Sequence, residues 1–508
     1  LSNSKNIAKN TAFLYVRMLL TMVVSLYTSR IVLNTLGAED YGIYNIVGGI
    51  TIMFAFLNQS MSGATSRFLI FELGRGDLGK LRRTFSNALT VHFLIAGIVF
   101  VLAETIGIWF LENKLIINPE RMNTARWVYQ LSILSTMISI TQVPYNAIII
   151  AYERMNIYVY IEILNNLLRL GVVYMLVIGS FDKLFLYAVL VLCVSFTIAM
   201  IYRLYCARRF PETKFRLGWD KNVVKPMLSF SGWDLYGNLS RTAKTEGVNI
   251  LLNLFHGVIV NAAYGIANQV QNTVFNFSSN FLMAVRPQIV KYYAANDIEK
   301  MQRLVVTSAK FSFLLLFIIS LPLIIENDFV LHIWLKEVPE YTIVFCQLTL
   351  LSNLIIAMFN TVVIAIHATG KVKRVSITIG SIYLLVLPIS YLLLKNGFSP
   401  IIPFIVNAFL TLLGCSSYLW LLRLNVPQFS IMRFFLEAVI VCLSIAFVSS
   451  ILPVYLHFSM DNGWIRFILV TFCSIILVAM TTYYFAFSKT SRNEYMKIVK
   501  KKIKSFFL

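Results

Sequence analysis

Residues 10–28 read NTAFLYVRMLLTMVVSLYT, an apolar helix with a polar stripe running along it. At about 100° per residue, Asn10, Arg17, Thr21, Ser25 and Thr28 share one face, while Leu14, Leu19, Leu20, Val23, Val24 and Leu26 fill much of the rest. A charged side chain at membrane depth costs several kcal/mol unless it faces protein or water. Arg17 therefore predicts an aqueous cavity inside a membrane protein. A matching stripe in the second half of the chain predicts two lobes around that cavity, the plan of a transporter.

The composition agrees. Of 508 residues, 58% are hydrophobic and 13% charged, against about 25% charged in a soluble domain. Mean hydropathy is +0.74. The apolar runs reach the roughly 20 residues needed to cross hydrocarbon as a helix, whereas a barrel would alternate in segments of about ten. The predicted fold class is an all-α integral membrane protein. Net charge is +21, but the bases sit in short loops between spans, so they report topology rather than a nucleic-acid partner. The six cysteines fall in or beside apolar spans without CxxC or metal spacing, and read as packing residues. The first hydrophobic segment is long enough to be a true span rather than a cleavable signal peptide.

Fourteen spans are predicted, at about 12–36, 42–71, 84–111, 124–151, 156–179, 182–205, 224–255, 259–285, 304–325, 341–368, 373–395, 399–423, 431–454 and 464–488. The even loops and both ends carry the bases, among them Arg75, Lys80, Arg82 and Arg83, then Arg208, Arg209, Lys214 and Arg216, then the tail from Lys489. The odd loops carry acids such as Glu39, Asp40, Glu326 and Asp328. The positive-inside rule then places both termini in the cytoplasm.

The halves repeat. Tyr41-Gly42-Ile43-Tyr44-Asn45-Ile46-Val47 resembles Tyr264-Gly265-Ile266-Ala267-Asn268-Gln269-Val270, and Asp77-Leu78-Gly79-Lys80-Leu81-Arg82-Arg83 resembles Asp297-Ile298-Glu299-Lys300-Met301-Gln302-Arg303. Six spans per repeat make the lobes parallel, related by an axis along the membrane normal. The expected organisation is an N-lobe over 1–205, a cytoplasmic linker over 206–223, a C-lobe over 224–425, two further spans over 426–488 and a basic cytoplasmic tail over 489–508.

Span seven has its own stripe of Asp234, Asn238, Arg241, Thr245 and Asn249, with Lys244 at its edge. Span two offers Asn58, Ser62 and Thr65; span eight offers Gln269, Asn276 and Asn280. The economical arrangement points these four helices at one cavity. A lone Asn, Gln, Ser or Thr in a membrane helix often only bonds a neighbour, so Arg17 and Arg241, matched between the lobes, weigh most. Asp234, Glu162 and Glu104 are candidate acids for proton or sodium coupling. No catalytic constellation, nucleotide loop or metal cluster is present in the sequence, so no enzymatic activity and no cofactor are expected. A cavity holding Arg17, Arg241 and Lys244 favours an anion, and guanidinium forks match phosphate oxygens.

A family resemblance joins these readings. Lys9-Asn10-Thr11 with Arg17, Ser29 to Gly37, Asp40-Tyr41-Gly42-Ile43-Tyr44, Gln142-Val143-Pro144-Tyr145-Asn146-Ala147 and Tyr152-Glu153-Arg154-Met155 together resemble polysaccharide-repeat-unit flippases of the Wzx type, with Ala368-Thr369-Gly370-Lys371 as a second-lobe counterpart. These belong to the multidrug/oligosaccharidyl-lipid/polysaccharide (MOP) superfamily. The resemblance implies two six-helix lobes in a V, alternating access, and transfer of an undecaprenyl-diphosphate-linked oligosaccharide from the inner to the outer leaflet of a bacterial inner membrane. It implies that Arg17 and Arg241, with Lys244 next, hold the diphosphate. Partners implied are the lipid-linked glycan and membrane lipids, with a polysaccharide polymerase and glycosyltransferases as candidates. Three alternatives stay open at this point: a drug/cation antiporter of the same superfamily, a lipid II-type flippase, and a non-transporting scaffold for a glycan-assembly complex.

Overall fold

A computed structural model of the chain describes residues 2–113, 117–178, 182–216, 218–335 and 338–486. Among them no strand forms; the backbone is a succession of long helices. We label them α1 (Ser2–Arg75), α2 (Leu78–Asn113), α3 (Pro119–Ala151), α4 (Met155–Ile178), α5 (Lys183–Arg209), α6 (Lys221–Ala294), α7 (Ile298–Ile325), α8 (Asn327–Leu335), α9 (Thr342–Thr369), α10 (Lys373–Lys395), α11 (Ile402–Asn425), α12 (Ile431–Ser459) and α13 (Trp464–Ala486). Ten of these helices are long and apolar enough to cross a membrane. The multi-pass membrane class expected from hydropathy is therefore the class observed.

The two longest elements, α1 and α6, have 74 residues each. A straight helix of that length would run about 110 Å, several times the roughly 30 Å of hydrocarbon. Each covers two of the fourteen expected spans. In α6 the break is Gly257, at φ 79° and ψ −170°, a left-handed backbone that glycine adopts without steric cost. Asn261 Nδ2 donates across this joint to Asn249 Oδ1 at 2.6 Å and to the Asn249 carbonyl at 2.9 Å. The Tyr264 hydroxyl donates to the Thr245 carbonyl at 2.9 Å. Gly37, the counterpart in the sequence repeat of Gly257, lies outside the residues whose side chains are described, as do Ser25 and Arg30. The basic tail lies outside the described residues.

Helix starts follow the sequence closely. Asp77, Asn118, Asp182, Asp220 and Asp297 precede α2, α3, α5, α6 and α7, and each side chain accepts a backbone N–H of the first turn. Such caps are worth about 1 kcal/mol apiece. The repeat survives in this detail. Gly76 and Asn296, one residue before the Asp77 and Asp297 caps, both take positive φ, 76° and 58°. The ends of α3 and α9 also match, with Glu153 (φ 58°) standing where Gly370 (φ 75°) stands in the second repeat. A left-handed residue with a Cβ costs roughly 1–2 kcal/mol, which asks for a reason at Glu153.

The chain divides into two compact units, Leu1–Leu235 with Arg286–Asn296, and Tyr236–Val285 with Asp297–Leu508. In the first unit, Phe85, Leu89, Ile148, Tyr202, Cys206 and Phe210 form a buried core, with Tyr152 stacked on Phe210 at 4.4 Å. At the opposite end Arg121 brackets three helices: Nε donates to Asp40 Oδ1 at 2.9 Å and Nη1 to Asp182 Oδ2 at 2.7 Å. Burial alone would raise the Asp182 carboxyl, but the hydrogen bond from Arg121 and the Phe185 amide hold it below the usual range. In the second unit, Phe345 stacks on Phe404 at 4.1 Å within a core that includes Leu252, Ala263 and Val386. There α12 and α13 seat on α7. The fully buried Glu326 carboxylate accepts from Arg466 Nη2 at 2.8 Å and lies 2.9 Å from His457 Nδ1.

Candidate binding site

The sequence stripe on α1 finds its partner face on α4. Arg17 Nη1 donates to the Tyr158 hydroxyl at 3.0 Å, with the guanidinium 5.2 Å from that ring's centroid. One turn on, Asn166 Nδ2 donates to Thr21 Oγ1 at 2.8 Å. Tyr158, Glu162 and Asn166 are spaced by four, so they line one side of α4. The Tyr202 hydroxyl, from α5, donates to Glu162 Oε1 at 3.2 Å. Arg17 and Glu162 both act electrostatically on Tyr158 and on Tyr202. The first unit thus holds a cation and an acid in one cluster, joined by two tyrosines.

Above the α3–α4 turn the same unit encloses a cavity of about 800 Å³ lined by Lys9, Asn10, Glu153, Arg154, Gln288 and Lys291, among others. Here the strained Glu153 has its use. Its carboxylate accepts from Gln288 Nε2 at 2.6 Å and pairs with Lys291. A Cβ on Gly74 would meet the Lys291 Cα at 2.9 Å, so the ends of α1 and α6 are packed backbone to backbone. Asn10 at this cavity and Arg17 lie seven residues apart on one face of α1, about 10 Å along the axis.

The second unit repeats the first cluster's plan with different charges. Lys244 Nζ donates to Asn407 Oδ1 at 2.8 Å and sits 4.8 Å from the Tyr383 centroid. Tyr383 and Tyr418 face each other, and Arg241 acts electrostatically on Lys244, Tyr383 and Tyr418. In both units the cation comes from the first helix of the repeat, and one tyrosine comes from each of its last two helices. Close packing fixes the second cluster. A Cβ on Gly380 would lie 2.6 Å from Tyr236 Cε1 and 2.9 Å from Ser240 Oγ, so α10 meets α6 one turn from Arg241.

The remaining predicted residues divide. Gln269 and Asn276 are exposed on α6, as are Asn238, Arg241 and Asn272. Polar groups exposed along a membrane-spanning helix require water. Asn280 is buried and donates to the Asn276 carbonyl at 2.8 Å. Asn58 has a buried Oδ1 with no hydrogen-bond partner among the described residues. Asp234 stays in the first unit, where Gly63 approaches its carboxylate and Arg286 is a cation set against it. Glu104 lies apart, in a π-turn of α2, and accepts from Gln130 Nε2 at 3.2 Å. Glu162 turns to Tyr202 rather than to Arg169, which donates to Asn165 instead. Tyr158, Tyr202, Tyr383, Tyr418 and Asn407 were not legible as site residues. Their one signal is an interval: Tyr383 follows Arg241 at nearly the spacing by which Tyr158 follows Arg17.

A family model described as polysaccharide biosynthesis protein matches residues 7–293, and the MatE model matches residues 245–392. No curated protein sequence matches. Solved structures do. An outward-facing multidrug-resistance MATE family transporter of the MOP superfamily aligns with TM-score 0.69 and 12% identity, covering 84% of this chain and 97% of that one. A MOP superfamily transporter from Pyrococcus furiosus, described as having a binding pocket of reversed polarity, aligns with TM-score 0.67 and 12% identity over 84% and 96%. The MATE transporter ClbM in complex with Rb+ aligns with TM-score 0.69 and 13% identity over 86% and 97%. At these identities the likeness is one of fold.

Proposed function

The chain belongs to the polysaccharide biosynthesis protein family, within the MOP superfamily of transporters, and from that membership we propose that it is a flippase for lipid-linked glycans. It carries an undecaprenyl-diphosphate-linked oligosaccharide from the cytoplasmic to the outer leaflet of a bacterial inner membrane, with both termini in the cytoplasm. The diphosphate binds Arg241 and Lys244 in one unit and Arg17 in the other. Gln269 and Asn276, exposed on α6, serve the sugar hydroxyls, while the buried Asn280 and Asn58, with its buried Oδ1, support them. The prenyl chain stays in lipid. Lys9 and Arg154, at the mouth of the first unit's cavity, supply a first landing point two turns below Arg17. Movement of the two units relative to one another then exposes the glycan on the far side.

The observation that carries this reading is the recurrence of one cation-and-tyrosine plan in both units, with the second unit doubly cationic. Phosphate is the anion that guanidinium and ammonium groups beside phenol donors suit best. A cation exporter needs uncompensated acids, and the acid in the first cluster is already engaged by Tyr202 and shares its surroundings with Arg17. Coupling to a proton or sodium gradient falls to Glu162 first, then Asp234. The test is glycan display in a strain lacking the gene, complemented with Arg17→Ala, Arg241→Ala or both. Loss of surface glycan with accumulation of lipid-linked units inside is the expected result. Full display by a normally expressed double variant would remove the proposed site, and export of cationic dyes by the wild type would favour the antiporter.

A further inference from the structure

A second basic site lies away from these clusters, where the inter-repeat connection returns to α2. Residues 210–216 and 218–220 dock on the first turns of that helix. The Arg216 amide donates to Ser86 Oγ at 3.4 Å and the Asp220 amide to Asn87 Oδ1 at 2.8 Å. Ser86 and Asn87 are both buried, although they carry hydroxyl and amide groups. Docking leaves a cavity of about 430 Å³ walled by Arg82, Arg83, Arg216 and Trp219. Among the described residues no acid pairs with these three guanidiniums. Asp220 also lines the wall, but its carboxylate caps α6 through the Asn222 amide at 2.9 Å.

The site has a greasy end. Phe215 of the connection meets Phe93 of α2 edge to face at 6.0 Å, and the two are 40% and 47% exposed. Phe93 lies about 10 Å farther along the helix than Ser86. Beyond it Leu94, Ile98 and Val101 continue an exposed apolar face, which in a membrane-spanning helix faces acyl chains. Trp219 is 51% exposed at the basic end, the placement of an interfacial anchor.

We propose that this cavity binds the headgroup phosphate of an anionic phospholipid, with Arg82, Arg83 and Arg216 on the phosphate and the acyl chains against Phe93 and Phe215. Guanidinium forks bind phosphate oxygens in pairs. A free phosphate or a soluble nucleotide would use the cations but leave the aromatic end unexplained, and a zwitterionic lipid would bring a fourth cation to the three already there. The bound lipid then cements the inter-repeat connection to α2.

The test uses the full chain in nanodiscs and brominated lipids as quenchers, with Trp219 emission taken as wild type minus Trp219→Phe. Brominated phosphatidylglycerol at a low mole fraction should quench Trp219 at least about fivefold more than brominated phosphatidylcholine at the same fraction, the equivalent of one arginine near an anionic surface. The Arg82→Gln/Arg83→Gln/Arg216→Gln protein should lose that preference while staying monodisperse. If the triple variant does not stay monodisperse, Arg216→Gln alone, on an exposed side chain, should reduce the preference. Equal quenching by the two lipids in the wild type, or a preference unchanged in either variant, would overturn the proposal. Loss of the preference on adding inorganic phosphate or undecaprenyl phosphate would also overturn it, by making the site one for free phosphate or for the transported lipid.

Discussion

The two cation clusters share a plan and differ in charge. In the first unit Arg17 shares its tyrosines with Glu162, so the cluster is close to neutral. In the second, Lys244 sits by the Tyr383 ring and Asn407, and the charged group that acts on it is a second cation, Arg241, which also acts on Tyr383 and Tyr418. Two like charges held close repel unless something neutralises them. The second cluster is therefore the one poised for an anion, and the first already holds a carboxylate beside its cation.

Arg241→Ala with Lys244→Met strips the second cluster of both charges. Each charge-assisted contact to a buried anion is worth about 1.5–3 kcal/mol, so glycan display should fall by roughly 100-fold or more, read by immunoblot against membrane-inserted protein. Arg17→Ala removes one cation from a compensated pair and should cost about tenfold in the same assay. An equal or larger loss from Arg17→Ala would reverse the ranking of the clusters. Gly380→Val tests the scaffold rather than the charge. The new side chain meets Tyr236 and Ser240, and overpacking of this kind costs about 1–3 kcal/mol, visible as a lowered Tm in detergent. Glu162→Gln keeps an acceptor for Tyr202 but removes the negative charge from the cluster that holds Arg17, so the first cluster should come to resemble the second. Farnesyl diphosphate binding by calorimetry should tighten a few-fold, in line with about 1 kcal/mol for a partly exposed charge pair. Weaker binding would show that the acid does not oppose the anion. The smallest effect concerns the Arg121 bracket. The folded Asp182 carboxyl is depressed, so its contribution to stability is present above the unfolded value near pH 3.9 and is lost as pH falls through the lower folded value. Asp182→Asn should remove that component of the acid sensitivity, measured as Tm against pH.

How much was readable before the fold depended on range. Local features were legible: the matching Asp77 and Asp297 segments of the repeat, the charges inside spans one and seven, and the break between spans seven and eight. All of these are set within one or two helical turns. The partners were not. Periodicity assigns a residue to a face of its own helix and is silent about which helix lies opposite, so Tyr158, Tyr202, Tyr383 and Tyr418 looked like ordinary aromatic residues of apolar spans. Glu153 escaped for a different reason. Its positive φ is invisible in a sequence, and only the glycine at the equivalent turn, Gly370, hints that the backbone there is left-handed.

Glu326 sets a rule for where this polypeptide can be shortened. Its carboxylate has no exposure to solvent, and the groups that hold it, Arg466 and His457, both come from the final hairpin. A chain cut after Asn425 would keep every helix of the two repeats and yet strip a buried carboxylate of the groups that hold it, a costly loss unless water enters. The last two helices are thus a counter-ion as much as an anchor, and their loss should be felt first at the α7–α8 corner, some distance from any transported molecule.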